Sequence, residues 1–461
     1  VTASGLVSLA AESVVNSTAN VITADGLALK GVSSAGLPTN RIRTDVKNMY
    51  LANSGGLYLE NKGNVNIAQM DANGVVDIVA GGNVSSAEKL SSEAVFNVVS
   101  SGSIDFSNTG NLLNGPISLE ATTGAITLKN ASNVNFSKVE AKKLTVAATG
   151  NIVSSGNMNV TGDSRLSASG DILITGSNDF STVDLSANNI VLHDNNTVDL
   201  TNVVALTGAE INAGNGVGIG RITAPQLLVN AGAGQITDVN GDAMNITADK
   251  IILRAGSGIG VLNALETQTA ELDIINQSGG LEINNKGRVL LTNLVTKGDI
   301  KFVNDLDVTL DRVDADYATG NLNMNVTNGS IFGLSARDYR NAPDISAKTA
   351  YVSASVDVGT SYRPVSVNIN DEFALFSNVG SIYYFGGRPD SVIDGSKIKV
   401  SVFDALVGLS GQQLITVETL AEIDPAIFTE VKNFNQGEIS VMLPDDQRYD
   451  EDDEVSEEVA E

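Results

Sequence analysis

A short phrase recurs along this chain: a Gly or Asn turn, then apolar residues two positions apart. It reads Gly63-Asn-Val-Asn-Ile67, Gly102-Ser-Ile-Asp-Phe106, Gly124-Ala-Ile-Thr-Leu128 and Gly170-Asp-Ile-Leu-Ile174. It returns as Gly280-Leu-Glu-Ile283, Gly287-Arg-Val-Leu-Leu291, Gly298-Asp-Ile-Lys-Phe302 and Gly320-Asn-Leu-Asn-Met324. Strict alternation over three to five residues predicts short strands with one buried face. Gly and Asn suit the turns between them because both tolerate positive φ. Marks at positions 63, 82, 102, 124, 150 and 170 lie 19, 20, 22, 26 and 20 residues apart. A propeller blade needs about 40–45 residues, and helical repeats need helix-length patterns. A spacing near 20 fits one coil of a right-handed parallel β-helix. Coils stack by strand pairing at about 4.8 Å each, so residues 1–400 predict about 18–20 coils and a rod of roughly 90 Å.

Composition agrees with that architecture. The 461 residues include 45 Gly and 47 Asn, and 42% are hydrophobic but only 5% aromatic. Such a core is built from aliphatic ladders, with Asn, Ser, Thr and Asp facing outward. Asn in successive coils can stack and share amide hydrogen bonds. Open strand edges at the ends need a cap or a partner.

A longer internal repeat points the same way. The run from Asn40 to Leu57, with Thr44 and Ser54-Gly-Gly-Leu57, aligns with Asn263 to Leu281, with Thr267 and Ser278-Gly-Gly-Leu281, given a one-residue insertion. The second copy follows Gly256-Ser-Gly-Ile-Gly260, and a related Gly216-Val-Gly-Ile-Gly220 precedes Ile222. The Gly-Ile-Gly lead, the Leu265 to Leu272 run and the Ser-Gly-Gly-Leu strand start resemble the coils of large secreted bacterial haemagglutinin-like exoproteins, the two-partner secretion adhesins. The resemblance covers most of residues 1–400 and rests on repeat grammar. It implies an extracellular rod of the bacterial cell surface, used in attachment or cell–cell contact and exported through an outer-membrane secretion partner. The family's N-terminal secretion domain, with its Asn-Pro-Asn-Gly-type motif, has no counterpart here. That departure, with a start at Val1 that carries no charged, apolar leader, suggests a mature product or a C-terminal part of a longer exoprotein.

The expected organisation is regular coils over 1–330, then irregular coils with longer loops over 331–400. Residues 401–443 read as helical pieces, from Leu414, Val417, Leu420, Ile423, Ile427, Phe428 and Val431, with Asp424-Pro425 opening a second helix. They would cap the last coil or dock on a partner. Residues 444–461 form an acidic tail, expected to be solvated and disordered. From Asp445 to Glu461 it carries ten acidic residues and one Arg.

The formal charge of −26 argues against nucleic acid and anionic membranes as partners. No stretch reaches the roughly 18 apolar residues of a membrane span. Zero Cys excludes disulfides, thiol chemistry and Cys-based metal sites. It also suits a chain that crosses the periplasm unfolded. The single His193 lies beside Asp194, the residue types of a dyad, but a surface turn is the simpler reading. Gly214-Asn-Gly-Val-Gly-Ile-Gly220 lacks the helix that a phosphate loop opens, so tight turns are expected there. Asp305, Asp307, Asp311, Asp314 and Asp316, with Arg312 among them, are the candidate carboxylates of the alternative reading, a polysaccharide lyase or hydrolase acting on extracellular glycan. On that reading Asp305 and Asp307 share one strand face. The Asn- and Asp-rich loops suit calcium, and Asp445, Asp446, Asp450, Asp452 and Asp453 are candidate loose ligands. No cofactor is required. The expected function is therefore a non-enzymatic structural or adhesive rod. Its partners would be further copies of itself, end to end or side by side, or glycan or surface protein on a host or neighbouring cell.

Overall fold

The computed structural model describes residues 1–16, 20–54, 56–334 and 342–386, and the short strands Lys399–Val402, Leu414–Val417 and Ser440–Met442. Two compact units divide the chain, one holding residues 1–225 with 229–231, the other 226–228 with 232–461. Both are parallel β-solenoids, and no helix occurs among the described residues.

In the first unit each strand pairs with the strand one coil on. Leu57 faces Val76, then Phe96, Ile117 and Phe136, in steps of 19, 20, 21 and 19 residues. A second ladder runs Val84, Ile104, Ile126, Leu144, Ser164, Val183, Leu200, in steps of 20, 22, 18, 20, 19 and 17. The second unit repeats the design. Ile251, Leu272, Leu291 and Leu310 stack in steps of 21, 19 and 19. From Leu322 to Ala350 the step lengthens to 28 residues. Alternate positions are buried along most strands, and Val, Ile, Leu and Ala fill them. Removing each large aliphatic side chain from water contributes about 1.5–3 kcal/mol. Core aromatics meet across the interior of a single coil: Phe96 and Phe106, on two successive faces, have ring centroids 5.5 Å apart.

The turn phrase has a different cause from the one expected. Gly63, Gly82, Gly102, Gly124, Gly150 and Gly170 do not have positive φ; of the recurring phrases only that at Gly287 does, at 97°. The reason for glycine is space. Asn64 Oδ1 accepts the Asn83 N–H at 2.8 Å, and Asn83 Oδ1 accepts the Ser103 N–H at 2.8 Å. At another corner Asn133, Asn151 and Asp171 do the same for Asn151, Asp171 and Asn189. A Cβ on Gly82, Gly102, Gly150 or Gly170 would lie 2.0–2.2 Å from the amide oxygen of the coil before. The 26-residue interval in the turn spacing is thus no long coil. It is the passage from the corner of Asn64 and Asn83 to the corner of Asn133 and Asn151.

The internal repeat is the same construction built twice. Gly36 and Gly260 both have left-handed φ, 75° and 62°. Cβ atoms there would crowd equivalent backbone atoms, including Asn40 O and Asn263 O at 3.3 Å each. Four residues past each Asn, Thr44 and Thr267 donate to the buried amides of Asn61 and Asn285, at 2.8 and 2.9 Å.

The helix expected through Leu414 and Val417 is not formed. Leu414–Val417 is a strand, antiparallel to both Lys399–Val402 and Ser440–Met442. Its Ile-Thr-Val run is β-branched, which favours a strand over a helix. The other positions of that reading, Leu420, Ile423, Asp424-Pro425, Ile427, Phe428 and Val431, lie outside the described residues, as does the acidic tail from 444 to 461.

Candidate functional site

The carboxylates from 305 to 316 do not form a catalytic pair on one strand face. Asp305 and Asp307 sit in the turn between the strands Ile300–Asn304 and Val308–Leu310. The strand ends at Asn304 because that side chain turns inward and donates to Gly287 O and Leu306 O, closing the corner. Asp305 Oδ1 accepts the Gly287 N–H at 2.5 Å. Asp307 accepts the Ser330 N–H at 3.0 Å and pairs with Arg288 at 3.0 Å. Asp314 pairs with Arg312 at 2.9 Å and accepts the Asp316 N–H. Asp316, at φ 64°, caps the turn by accepting from Ala318 and Thr319. Asp311 follows the strand Val308–Leu310, at the next bend. Asp305 and Asp307 thus join one coil to its neighbours, whereas Asp314 and Asp316 act within their own turn.

His193 and Asp194 are no dyad. Both end the strand Asp179–Asp194, where successive side chains point to opposite faces. His193 faces outward and is half-buried; Asp194 faces the core. Its oxygens accept the Phe180 N–H at 2.8 Å and the Asn196 N–H at 3.0 Å. Burial pushes this carboxyl above its ordinary range; the Asn196 and Phe180 hydrogen bonds oppose that rise and the Asp179 charge adds to it. The native state therefore holds the Asp194 proton more tightly than the unfolded chain does, and this residue's contribution to stability falls as pH rises through its folded pKa. Relative to an Asp194→Asn variant, the wild type should lose stability as pH rises above the unfolded carboxyl's pKa of about 3.9 and through the raised folded one. Denaturation of both proteins across that range measures it; a constant difference would show that the buried carboxyl is not titrating there.

Gly216–Ile219 is a strand, paired in parallel with Thr197–Leu200 and buried at every position, rather than the tight turns expected there. It offers no phosphate cradle. Among the described residues no group of three or more His, Asp or Glu is placed to hold a metal ion. The candidate calcium ligands Asp445, Asp446, Asp450, Asp452 and Asp453 lie outside the described residues.

Two features escape a reading by motif. One is a polar knot in the second unit. Asn245 donates to Asp238 at 2.7 Å and to Asn240 at 2.9 Å, and accepts the Glu266 N–H at 2.8 Å. Burial, with Asp238 and Asp242 adding to it, pushes the Glu266 carboxyl up. The spacing Asp238-Val-Asn-Gly-Asp242 was its only sequence signal.

The other is a shallow groove of about 560 Å³ on the first unit, at one corner of four successive coils. Its first turns are Ser155-Gly156-Asn157 and Thr175-Gly176-Ser177; His193, Asn195, Asn212 and Gly214 continue it. Glycine makes the groove by necessity. A Cβ on Gly156 would lie 1.8 Å from Ser137 O, and one on Gly176 1.9 Å from Gly156 O. The residues beside each glycine stand exposed on either side of it. The floor is braced by Asn178, fully buried, which donates to Gly176 O and His193 O at 2.8 Å and accepts the Met158 N–H. These residues are some twenty positions apart in the chain, so only the coil register brings them together.

A family model described as repeats of unknown function (DUF5649) matches residues 123–186. That segment holds the Asn133–Asn151–Asp171 corner and the first two turns of the groove. No curated protein and no solved structure matches the chain.

Proposed function

We propose that this chain is a non-enzymatic structural and adhesive protein of a bacterial cell surface, acting outside the cell in attachment or cell–cell contact. One observation supports this reading: the carboxylates of Asp305, Asp307, Asp314 and Asp316 are engaged in turns and ion pairs. Elsewhere the outward faces are cross-linked coil to coil. Lys138 meets Glu120 at 2.6 Å, Lys250 meets Glu271 at 2.7 Å and Arg254 meets Asp273 at 2.8 Å. Arg41 grips Asp77 through both oxygens at 2.8 and 2.9 Å. Asn66 donates to Asn48 at 3.0 Å. Such a surface is a stiff, hydrophilic scaffold on which binding faces can be displayed. The resemblance to two-partner secretion adhesins supports the surface location and export through an outer-membrane partner. The absence of Cys supports the same route.

Attachment and end-to-end self-assembly are separable outcomes of this reading. Negative-stain electron microscopy of the purified chain, in calcium and then in EDTA, distinguishes them. Separate particles together with saturable binding to cells support the adhesin. Filaments support a self-assembling fibre, and their loss in EDTA would place calcium at the junctions. Turnover of an extracellular polysaccharide that Asp305→Asn or Asp307→Asn abolishes would sink the reading.

A further inference from the structure

We propose that the glycine-floored corner groove of the first unit binds a neutral oligosaccharide. The proposal rests on the adhesive reading and adds the class of ligand and its place. The groove follows four coil corners, about 14 Å at the strand-pairing distance. Along it Ser155, Asn157, Thr175, Ser177 and Asn195 are all exposed, and their side chains make no hydrogen bond to the described residues. On other outward faces some polar side chains are tied to the next coil, as Asn202 is to Asp184 and Asn293 to Asp273, while others, such as Asn135, Asn159 and Asn323, stand singly along exposed strand positions. Here hydroxyls and amides from successive coils stand free together, over a floor that Asn178 fixes.

The chemistry selects the ligand. Hydroxyls and carboxamides both donate and accept, which matches the vicinal hydroxyls of a sugar. No Lys or Arg lines the groove, so phosphate, sulfate and uronate find no counter-charge. The one carboxylate among the lining residues, Asp194, turns its oxygens toward backbone N–H groups of Phe180 and Asn196. Ala213, the only apolar side chain lining it, is buried, so a lipid or an aromatic ligand finds nothing to cover. An extended peptide would need a strand edge. The flanking strands are already paired, Ile152–Ser154 with Ile172–Ile174, and those with Ile190–Leu192. The half-buried His193 ring adds one flat face beside the walls.

The test is saturation-transfer NMR on the full 461-residue chain, with neutral trisaccharides and hexasaccharides of glucose, mannose and galactose as probes. Two variants at exposed positions accompany it: Ser177→Leu, which obstructs the groove, and Asn195→Ala, which removes one amide. Wild type should transfer saturation to sugar ring protons. Asn195→Ala should weaken binding about tenfold, the equivalent of one or two hydrogen bonds, and Ser177→Leu should abolish transfer. The proposal is overturned by no transfer to any neutral probe, by binding confined to sulfated or uronate sugars, or by transfer that Ser177→Leu leaves unchanged. Attachment to cells, measured in parallel, separates the two readings. Attachment that Ser177→Leu leaves intact, with no sugar transfer in wild type, sinks the groove and leaves the adhesin standing. Sugar transfer lost in Ser177→Leu, without attachment by wild type, keeps the groove and sinks the adhesin.

Discussion

Gly170→Ala should destabilise its coils by about 2–3 kcal/mol, the range for forcing a methyl into a packed site. The cause is a single neighbour: the added Cβ would lie 2.0 Å from Asn151 Oδ1, whereas the nearest backbone atom is 3.3 Å away. Asn151 cannot simply withdraw, because its Oδ1 accepts the Asp171 N–H at 2.8 Å. Admitting the methyl breaks that bond or spreads the coils. Asn151→Ala alone should cost about 1 kcal/mol, the usual net worth of one hydrogen bond. In the Asn151→Ala background the effect of Gly170→Ala should then vanish or change sign. Gly170 is not in the left-handed region, so alanine fits its backbone and restricts the unfolded chain. The cycle therefore predicts a coupling of about 2 kcal/mol between residues nineteen apart in sequence. Stacked coils open locally, so native-state hydrogen exchange at amides 152–192 is the suitable readout. Additive effects would mean that the close approach of amide and glycine is not what selects glycine there.

That example also shows what was legible in the chain and what was not. The phrase Gly170-Asp-Ile-Leu-Ile174 announces a turn and a strand, and its recurrence announces coils. The phrase is silent about which corner of the coil it occupies, so the change of corner between Gly124 and Gly150 does not show in the spacing. The internal repeat read correctly as one construction because its parts are local: Gly36, Asn40 and Thr44 lie within nine positions, as do Gly260, Asn263 and Thr267. Asp194, expected at a surface turn, and Asp305, expected on a strand face, depart from those expectations for a common reason. Alternation assigns a face only once the strand's end is known, and buried side chains decide that end: Asn304 at one corner, Asp194 itself at the other. The groove was invisible because Gly156, Gly176 and Asn195 belong to different coils, and register is a property of the whole stack.

Asn285→Asp should be the most damaging single substitution that leaves volume unchanged. Asn285 lies in a column of three buried side chains, with Thr267 and Asn304 fully buried and Asn285 at 3% exposure. Thr267 donates to Asn285 Oδ1 at 2.9 Å, and Asn285 Nδ2 donates to Asn304 Oδ1 at 2.8 Å. Asn304 cannot turn its amide over to help, because its Nδ2 already serves Gly287 O at 2.9 Å and Leu306 O at 2.6 Å. A carboxylate at 285 would therefore set oxygen against oxygen and bury a charge with one hydroxyl as partner. An uncompensated buried charge costs about 3–5 kcal/mol. The protonated acid, by contrast, can donate to Asn304 Oδ1 much as the amide does. The folded state would thus raise this carboxyl's pKa above its unfolded value near 3.9. The sign follows: the variant approaches wild-type stability below about pH 4 and loses it as pH rises toward neutrality. Asn285→Ser, which keeps a donor and adds no charge, should be milder and independent of pH. Denaturation of the three proteins at acid and neutral pH tests this. A loss in Asn285→Asp that does not change with pH would show that geometry, not charge, governs the column. The same physics explains why a chain of net charge −26 keeps amides rather than carboxylates at so many of its buried corners, Asn61, Asn111, Asn130, Asn178 and Asn276 among them. Each must accept a backbone N–H and also donate to carbonyls of its own turn, and a carboxylate can do only the first.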